Sequence, residues 1–301
     1  MKNIKYDEYY LKFKQGEQTK LLRSTKDKCF NSWNELANLL SVSRSMIFLY
    51  LSEKCKLPLT MFKKMIQISN QNPHDYSFKV IPYSIYGKSE IPKKITPDLS
   101  EFVGIMLGDG HINRTNYQIT ISCGNIDGLY IKRYIPQLIK KLFSKDVSFR
   151  QTAKEGLECK FNSKDVCNFL SNRMDVVSPK VNCIIPPFFF ENHNNLKSCV
   201  RGLFDTDGGL HKHHKNSAQL QFTNKCYSLI KSLRKALVEL GHRPSRISVN
   251  HKEKGTHQLY LFGDDVIKYF NDVGSSNPKN VQKFDRWVKE GKVPLNKELC
   301  V

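Results

Sequence analysis

Apolar positions along this chain recur with a helical period in some stretches and alternate in others, and the two patterns divide it into elements. A short helix is predicted over Tyr9–Leu22. In Trp33–Leu51, Leu36, Ala37, Leu39 and Leu40 make one apolar face, and Ile47, Tyr50 and Leu51 make a second beyond a tight turn at Ser41–Ser43. Leu57–Ile68 predicts another helix, with Pro58 at an early position where its missing N–H costs nothing. Asn70–Pro97 holds Pro73, Pro82, Pro92 and Pro97 with little periodicity and reads as a linker.

From Leu99 onward one order of elements is predicted twice: helix, strand, strand, helix, strand, strand, helix. In the first unit these include a strand at Gln118–Ser122, a helix at Tyr130–Phe143, a hairpin of Val147–Thr152 with Leu157–Phe161, and a helix at Ser163–Arg173. The second has a strand at Gln219–Thr223, a helix at Tyr227–Gly241, a hairpin of Arg246–Asn250 with Gln258–Phe262, and a helix at Asp264–Val273. Ser178–Pro187 joins the units as an extended connector, and the tail from Ser275 carries Trp287 and adds one more helix. The expected divisions are 1–72, a linker 73–98, units 99–190 and 191–274, and a tail 275–301.

Each unit opens with related residues. Phe102-Val-Gly-Ile-Met-Leu-Gly-Asp-Gly110 aligns with Val200-Arg-Gly-Leu-Phe-Asp-Thr-Asp-Gly208, 98 residues later. Gly104 and Gly108, and Gly202 and Thr206, are small residues four apart, so they share one helix face and allow two backbones to approach. The closing glycines suit helix ends. Asp109 and Asp207 then stand side by side at two carboxyl-terminal helix ends, where the helix dipole is already negative. Two carboxylates in such a place call for a cation, and hard oxygen donors favour magnesium or calcium over zinc.

Charge narrows the class of partner. The chain has 301 residues, with 48 Lys+Arg against 28 Asp+Glu for a formal charge of +20, which favours a polyanion such as nucleic acid. No apolar run reaches the ~20 residues needed to span a bilayer, and the first residues lack the apolar core of a secretory signal. No membrane partner and a cytoplasmic location are expected. The nine cysteines are scattered, without a Cys-x-x-Cys pair, which argues against a disulfide framework or structural zinc. His211, His213 and His214 lack further ligands at metal-binding spacing and read as a solvated loop.

Two resemblances attach to these residues. Trp33–Leu51 resembles the helix-turn-helix of DNA-binding proteins, with Ala37 at the helix contact, Val42 as the apolar plug, and Ser41 where glycine is usual. A second helix lying in the major groove would present Ser43, Arg44, Ser45 and Phe48, with Arg44 suited to guanine or phosphate. The paired motif stretches, and the order of elements around them over Leu99–Gly274, resemble the LAGLIDADG homing endonucleases. The first copy departs from the family pattern at Leu107, where the second has Asp205.

That second resemblance implies an α+β fold: two tandem αββαββα units related by a pseudo-twofold axis, here preceded by an all-α helix-turn-helix domain. It implies a monomeric endonuclease that makes a staggered double-strand break in DNA. Asp109 and Asp207 would hold Mg2+ (with Mn2+ as a substitute), helped by the backbone carbonyls of Gly108 and Thr206. Lys225, which follows a strand, is the expected catalytic lysine, with Asn125 near the equivalent place in the first unit. Alternating strands put every second side chain on the DNA side, so the expected contacts are Arg114, Gln118, Arg150, Lys154 and Lys160 in the first unit. Lys212, Lys215, Gln219, Gln221, Arg246, Lys252 and Lys254 match them in the second. The alternatives are a DNA-binding regulator that has lost catalysis and a maturase acting on intron RNA. An intein is not expected of a chain opening at Met1 and closing Leu-Cys-Val.

Overall fold

In the computed structural model, residues 9–82, 89–152, 156–214, 217–250 and 255–299 are described. The chain forms two bodies, Met1–Ile85 and Tyr86–Val301.

The first body is β1 (Tyr9–Phe13), α1 (Glu17–Cys29), α2 (Trp33–Leu40), α3 (Arg44–Leu51), β2 (Leu57–Pro58), α4 (Leu59–Ser69) and β3 (Phe78–Pro82). It is not all-α: a small antiparallel sheet runs β2-β1-β3. Two expectations fail here for one reason. Tyr9–Phe13 is a strand rather than the start of a helix, because Leu11 pairs with Val80 and Phe13 with Phe78 across the sheet. That partner lies some seventy residues away, inside the stretch read as linker, so local periodicity carried no sign of it. The strand also takes this body past residue 72.

Glu53 closes the other open end. The first residues of α1 have no side-chain cap, since Gly16 stands there, and the Glu53 carboxylate accepts N–H bonds from Gly16 at 3.1 Å and Thr19 at 3.2 Å. An anion at a helix N-terminus stabilises both the free N–H groups and the dipole. Between α2 and α3, Ser41 adopts a left-handed backbone (φ 56°), at a cost of about 1 kcal/mol for a residue with a side chain. Leu36, Ala37, Leu40, Ile47 and Tyr50 pack with Leu21, Leu22, Phe62 and Met65 in one apolar cluster.

The second body contains the duplicated units. The first is α5 (Pro97–Gly108), β4 (Gly110–Asn113), β5 (Gln118–Gly124), α6 (Ile135–Phe143), β6 (Ser148–Gln151), β7 (Gly156–Asn162) and α7 (Lys164–Arg173). The second is α8 (His193–Asp207), β8 (Gly208–Lys212), β9 (Ala218–Asn224), α9 (Tyr227–Glu239), β10 (Ser248–Asn250), β11 (Thr256–Phe262) and α10 (Asp264–Asp272). The tail adds α11 (Pro278–Glu290). The antiparallel sheets have the same order, β4-β5-β7-β6 and β8-β9-β11-β10. A π-helical turn at Tyr130–Tyr134 precedes α6.

The two motif helices form the spine of one shared core. Leu99–Leu107 of α5 are all buried, the polar Ser100 and Glu101 included. A Cβ added at Gly104 would lie 2.1 Å from the Cys199 carbonyl oxygen, and one at Gly202 would lie 2.2 Å from that of Glu101. Only glycine permits this approach. Across the same contact, Arg201 donates to the buried Glu101 carboxylate at 2.9 and 2.6 Å, and the Tyr134 hydroxyl donates to it at 2.6 Å. This satisfies an acid whose burial alone would be costly.

Asp205, the motif acid without a counterpart in the first copy, is structural. Its carboxylate accepts from the Ser275 hydroxyl, from Ser276 N–H at 2.7 Å and from Asn280 at 3.4 Å. Asn277, fully buried, donates to the Asp205 carbonyl at 3.2 Å and to Asp127 at 2.6 Å, and Lys279 pairs with Asp127 at 2.6 Å. The tail helix is thereby fastened to both units. Leu107, in the equivalent place, is simply a core residue.

Candidate active site

Asp109 is the C-cap residue of α5 and Asp207 is the last residue of α8. They meet because the helices touch along their whole small-residue face. At the site end, a Cβ on Gly108 would lie 2.0 Å from Thr206 Oγ1 and 3.3 Å from the Asp207 carboxyl carbon. Asp109 keeps its backbone N–H in the helix, bonded to Ile105 at 3.0 Å, while its carbonyl accepts from Ser122 N–H at 3.3 Å. The helix end and the sheet therefore fix the Asp109 backbone together.

Both acids hold their protons unusually well. Burial, and after it the neighbouring Asp207 charge, push Asp109 up to about 8, with Lys180 opposing them. Burial raises Asp207 to about 6, opposed by the side-chain amide of Asn224 and by Lys180. The Asn224 Nδ2 donates to Asp207 Oδ2 at 2.5 Å, and its Oδ1 accepts Cys226 N–H at 2.7 Å. The asymmetry is physical: among the described residues, only Asp207 has a neutral donor on its carboxylate.

The cation at this site was not found from the sequence. Lys180, in the irregular connector, donates from Nζ to the Gly108 carbonyl. Burial lowers its proton affinity, and Asp207 and Asp109 oppose that fall. Lys225, the residue expected from the sequence, is exposed instead. The alternation of β9 explains the displacement: Phe222 is buried, Asn224 turns to Asp207, and Lys225 follows the strand. Asn125 accepts from Gln151 at 3.4 Å and is exposed.

The donor set is all oxygen. Among the described residues, no three His, Cys, Asp or Glu side chains stand together as a metal cluster. Two half-buried carboxylates and adjacent backbone carbonyls fit an ion that keeps several waters and completes its shell with phosphate oxygens, the habit of magnesium. Thr206 contributes no free hydroxyl, since its Oγ1 bonds back to Gly202 and Leu203 at 3.0 and 3.1 Å. Its carbonyl is the atom the sequence reading required.

The two sheets carry the other expected residues. Gln118 and Lys160 lie on partly exposed positions of β5 and β7, alternating with buried Ile119, Ile121, Cys159 and Phe161. Lys160 stands opposite Thr120 and Ser148, and exposed Arg150 stands opposite Glu158. Gln219 and Gln221 occupy the corresponding side of β9, alongside Phe262 and Tyr260 of β11. The second sheet's face is thus neutral and aromatic where the first is charged. Gln258, Tyr260 and Phe262 were not singled out from sequence, although their alternation with Leu259 and Leu261 contained the signal. Arg114, Lys212 and Arg246 are exposed at strand ends or in turns. Lys154, Lys215, Lys252 and Lys254 lie outside the described residues.

In the first body, Ser43, Arg44 and Ser45 are exposed at the start of α3, and so is Phe48. Ser43 has a local task there: its hydroxyl caps the helix by accepting Met46 N–H at 3.3 Å. The Arg44 guanidinium rests 5.7 Å from the Phe48 ring centroid. Elsewhere, a cavity of about 890 Å3 lined by His193, Lys197, Glu239 and Lys268 sits at the opposite end of α8 from Asp207 and includes none of the site residues. Among the described residues, no helix is long and apolar enough to cross a membrane.

Comparison with known proteins agrees with this architecture. Residues 195–274 match the model of a LAGLIDADG-like domain. The chain is 25% identical over 223 residues to glutamine–fructose-6-phosphate aminotransferase (isomerizing) of Methanocaldococcus jannaschii, a match covering 69% of this chain and 20% of that protein. It is 22% identical over 198 residues to the replication factor C small subunit of the same organism, covering 64% and 10% respectively. The chain thus spans about a fifth and a tenth of these relatives. Their names describe unrelated activities, so what is shared is a segment and neither name transfers. Among solved structures, that of the homing endonuclease I-DmoI in complex with DNA and Ca aligns over 64% of this chain and 100% of its own. The TM-score is 0.50 at 18% identity. This chain therefore carries a LAGLIDADG-like domain at residues 195–274 within a single-chain, two-unit LAGLIDADG fold.

Proposed function

We propose that this chain is a site-specific, metal-dependent DNA endonuclease of the homing type, cutting both strands with a stagger. The observation that carries the reading is the meeting of Asp109 and Asp207 at the ends of α5 and α8. There each is half-buried and reluctant to ionise. A fold needs no such pair for stability; carboxylates forced together in low dielectric oppose folding unless a cation joins them.

In this reading Asp109 and Asp207 hold Mg2+, or Mn2+ in its place, with the carbonyls of Thr206 and Gly108, the latter through the lone pair that Lys180 leaves free. When bound, the metal supplies an activated water and charge neutralisation at the scissile phosphates. The chain's own residues do the rest. Asn224 keeps Asp207 oriented through its 2.5 Å hydrogen bond. Lys180, held at the Gly108 carbonyl, takes the role the sequence reading gave to Lys225: it offsets charge at the acids and is placed to give or accept a proton near the cut. The exposed side chains of the two sheets read the duplex, and α3 of the first body adds contacts through Arg44 and Ser45. A formal charge of +20 supports binding to the backbone.

The test is cleavage of a pooled library of duplexes by the purified chain in Mg2+. Discrete double-strand breaks at one sequence, abolished by a chelator, are the expected result. Specific binding without cutting in either metal would replace the nuclease by a DNA-binding regulator.

A further inference from the structure

The connector that carries Lys180 also carries Cys183, whose sulfur lies 3.2 Å from that of Cys226. Cys183 is buried and Cys226 partly exposed, and both are free thiols. Cys226 is the N-cap residue of α9. Its sulfur is also 3.2 Å from the Ser228 hydroxyl and 3.5 Å from the Cys183 carbonyl. The backbones around the pair are fixed from both sides. Ile185 N–H bonds the Ser232 hydroxyl of α9 at 3.1 Å, and Cys226 N–H bonds Asn224. A disulfide needs its sulfurs at about 2.05 Å, so closure asks the two sulfurs to approach by roughly 1 Å.

We propose that Cys183 and Cys226 form a peroxide-reactive dithiol site that closes reversibly to an intrachain disulfide. Cys226 is the attacking thiol: it is the more exposed, it sits at a helix N-terminus, and, against the effect of burial, its hydrogen-bond partners together favour the thiolate. Its sulfur takes one oxygen from hydrogen peroxide as the O–O bond breaks, leaving a sulfenic acid and releasing hydroxide, which becomes water. The Cys183 sulfur, losing its proton, then attacks the sulfenic sulfur; the S–S bond forms and the S–O bond breaks, releasing a second water. Two thiols are oxidised and one peroxide is reduced. The bond encloses Asp207 and Asn224 in its loop and ties the Lys180 connector to α9. None of this depends on the nuclease reading.

The test uses the full chain, reduced, freed of reductant, exposed to graded hydrogen peroxide, blocked with N-ethylmaleimide and digested without reduction for mass analysis. The first product expected is a peptide pair joining Cys183 to Cys226, with two alkylatable thiols lost and both restored by dithiothreitol. Cys29 and Cys55, also partly exposed, stay alkylatable at the same dose and serve as internal controls. The oxidised chain should melt several degrees higher, because the cross-link constrains the unfolded chain. In Cys183→Ser, Cys226 should pass to sulfinic acid without any cross-link. Recovery of both thiols alkylated, a disulfide to another cysteine as the first product, or a lower melting point on oxidation would each overturn the proposal. The wild-type measurement stands whether or not the variant folds.

Discussion

Asn224 donates to Asp207 at 2.5 Å, and the residue in Asn224's place beside Asp109 is Cys123. The equivalence follows from sheet register: Gly208 pairs with Phe222 and Gly110 with Ile121, so two residues further on Asn224 corresponds to Cys123. The Cys123 thiol is buried, and burial and the Asp109 charge both hold it protonated. One acid thus has an amide donor and the other a weakly polar thiol.

Unequal cutting of the two strands follows. Nicking rates measured strand by strand should differ, and Asn224→Ala should slow one strand by roughly 10–100-fold, the value of a hydrogen bond to a charged group, while sparing the other. Cys123→Asn should narrow the difference. Equal strand rates in the wild type would remove the basis for this asymmetry.

Lys180→Met should lower cleavage by about 100-fold or more while leaving duplex affinity within a few-fold, since the ammonium faces the acids and the Gly108 carbonyl. Lys225→Ala, at an exposed position, should leave the rate nearly unchanged. Single-turnover cleavage beside a binding titration separates the two; the reverse pattern would return the role to Lys225.

The acid pair fixes the direction of two pH effects. Asp109 and Asp207 are raised to about 8 and about 6, whereas unfolded carboxylates titrate near 4. Between those values the folded, metal-free chain binds more protons than the unfolded one, so its stability falls as pH rises from about 4 to 8. Asp205, raised to about 7 by burial, acts in the same direction. Magnesium should bind more tightly as pH rises through this window and should restore the lost stability at pH 8. Calorimetric melts of wild type and Asp109→Asn, with and without Mg2+, test this; a wild-type midpoint that rises toward pH 8 without metal would contradict it.

Asp205→Ala should destabilise the fold without touching the site. It strands Ser276 N–H and the Asn280 amide, at about 1–3 kcal/mol for each group left unsatisfied in the interior. Denaturant unfolding should show the loss, and the tail should become protease-sensitive. A variant as stable as wild type would mean that Asp205 does not fasten the tail.

What could be read in advance depended on how far the information lay along the chain. Asp109 and Asp207 were legible because the small residues that bring their helices together lie within one turn or two of each acid, and because the stretch occurs twice. The alternation in Gln118–Ser122 and Gln219–Thr223 likewise sets its own inward and outward faces. Lys180 was not legible. It sits in a connector with no period, and what brings it to Gly108 is anchoring at Ser178 and Ile185 by distant backbone and hydroxyl groups. The Tyr9–Phe13 strand was hidden similarly, its partner lying beyond four helices. Asp205 was noticed, but its partners in 275–280 could not be deduced from the motif that contains it.

The central claim is that the two paired acids, Asp109 and Asp207, make the cut. The most direct measurement is Mg2+-dependent cleavage of a bound target by wild type, Asp109→Asn and Asp207→Asn, with affinity recorded for each. Wild type should break both strands, and each variant should bind the same duplex yet lose double-strand cleavage. Double-strand cutting by both variants at the wild-type rate would contradict the account, as would a wild type that binds one sequence tightly and leaves it intact in both Mg2+ and Mn2+.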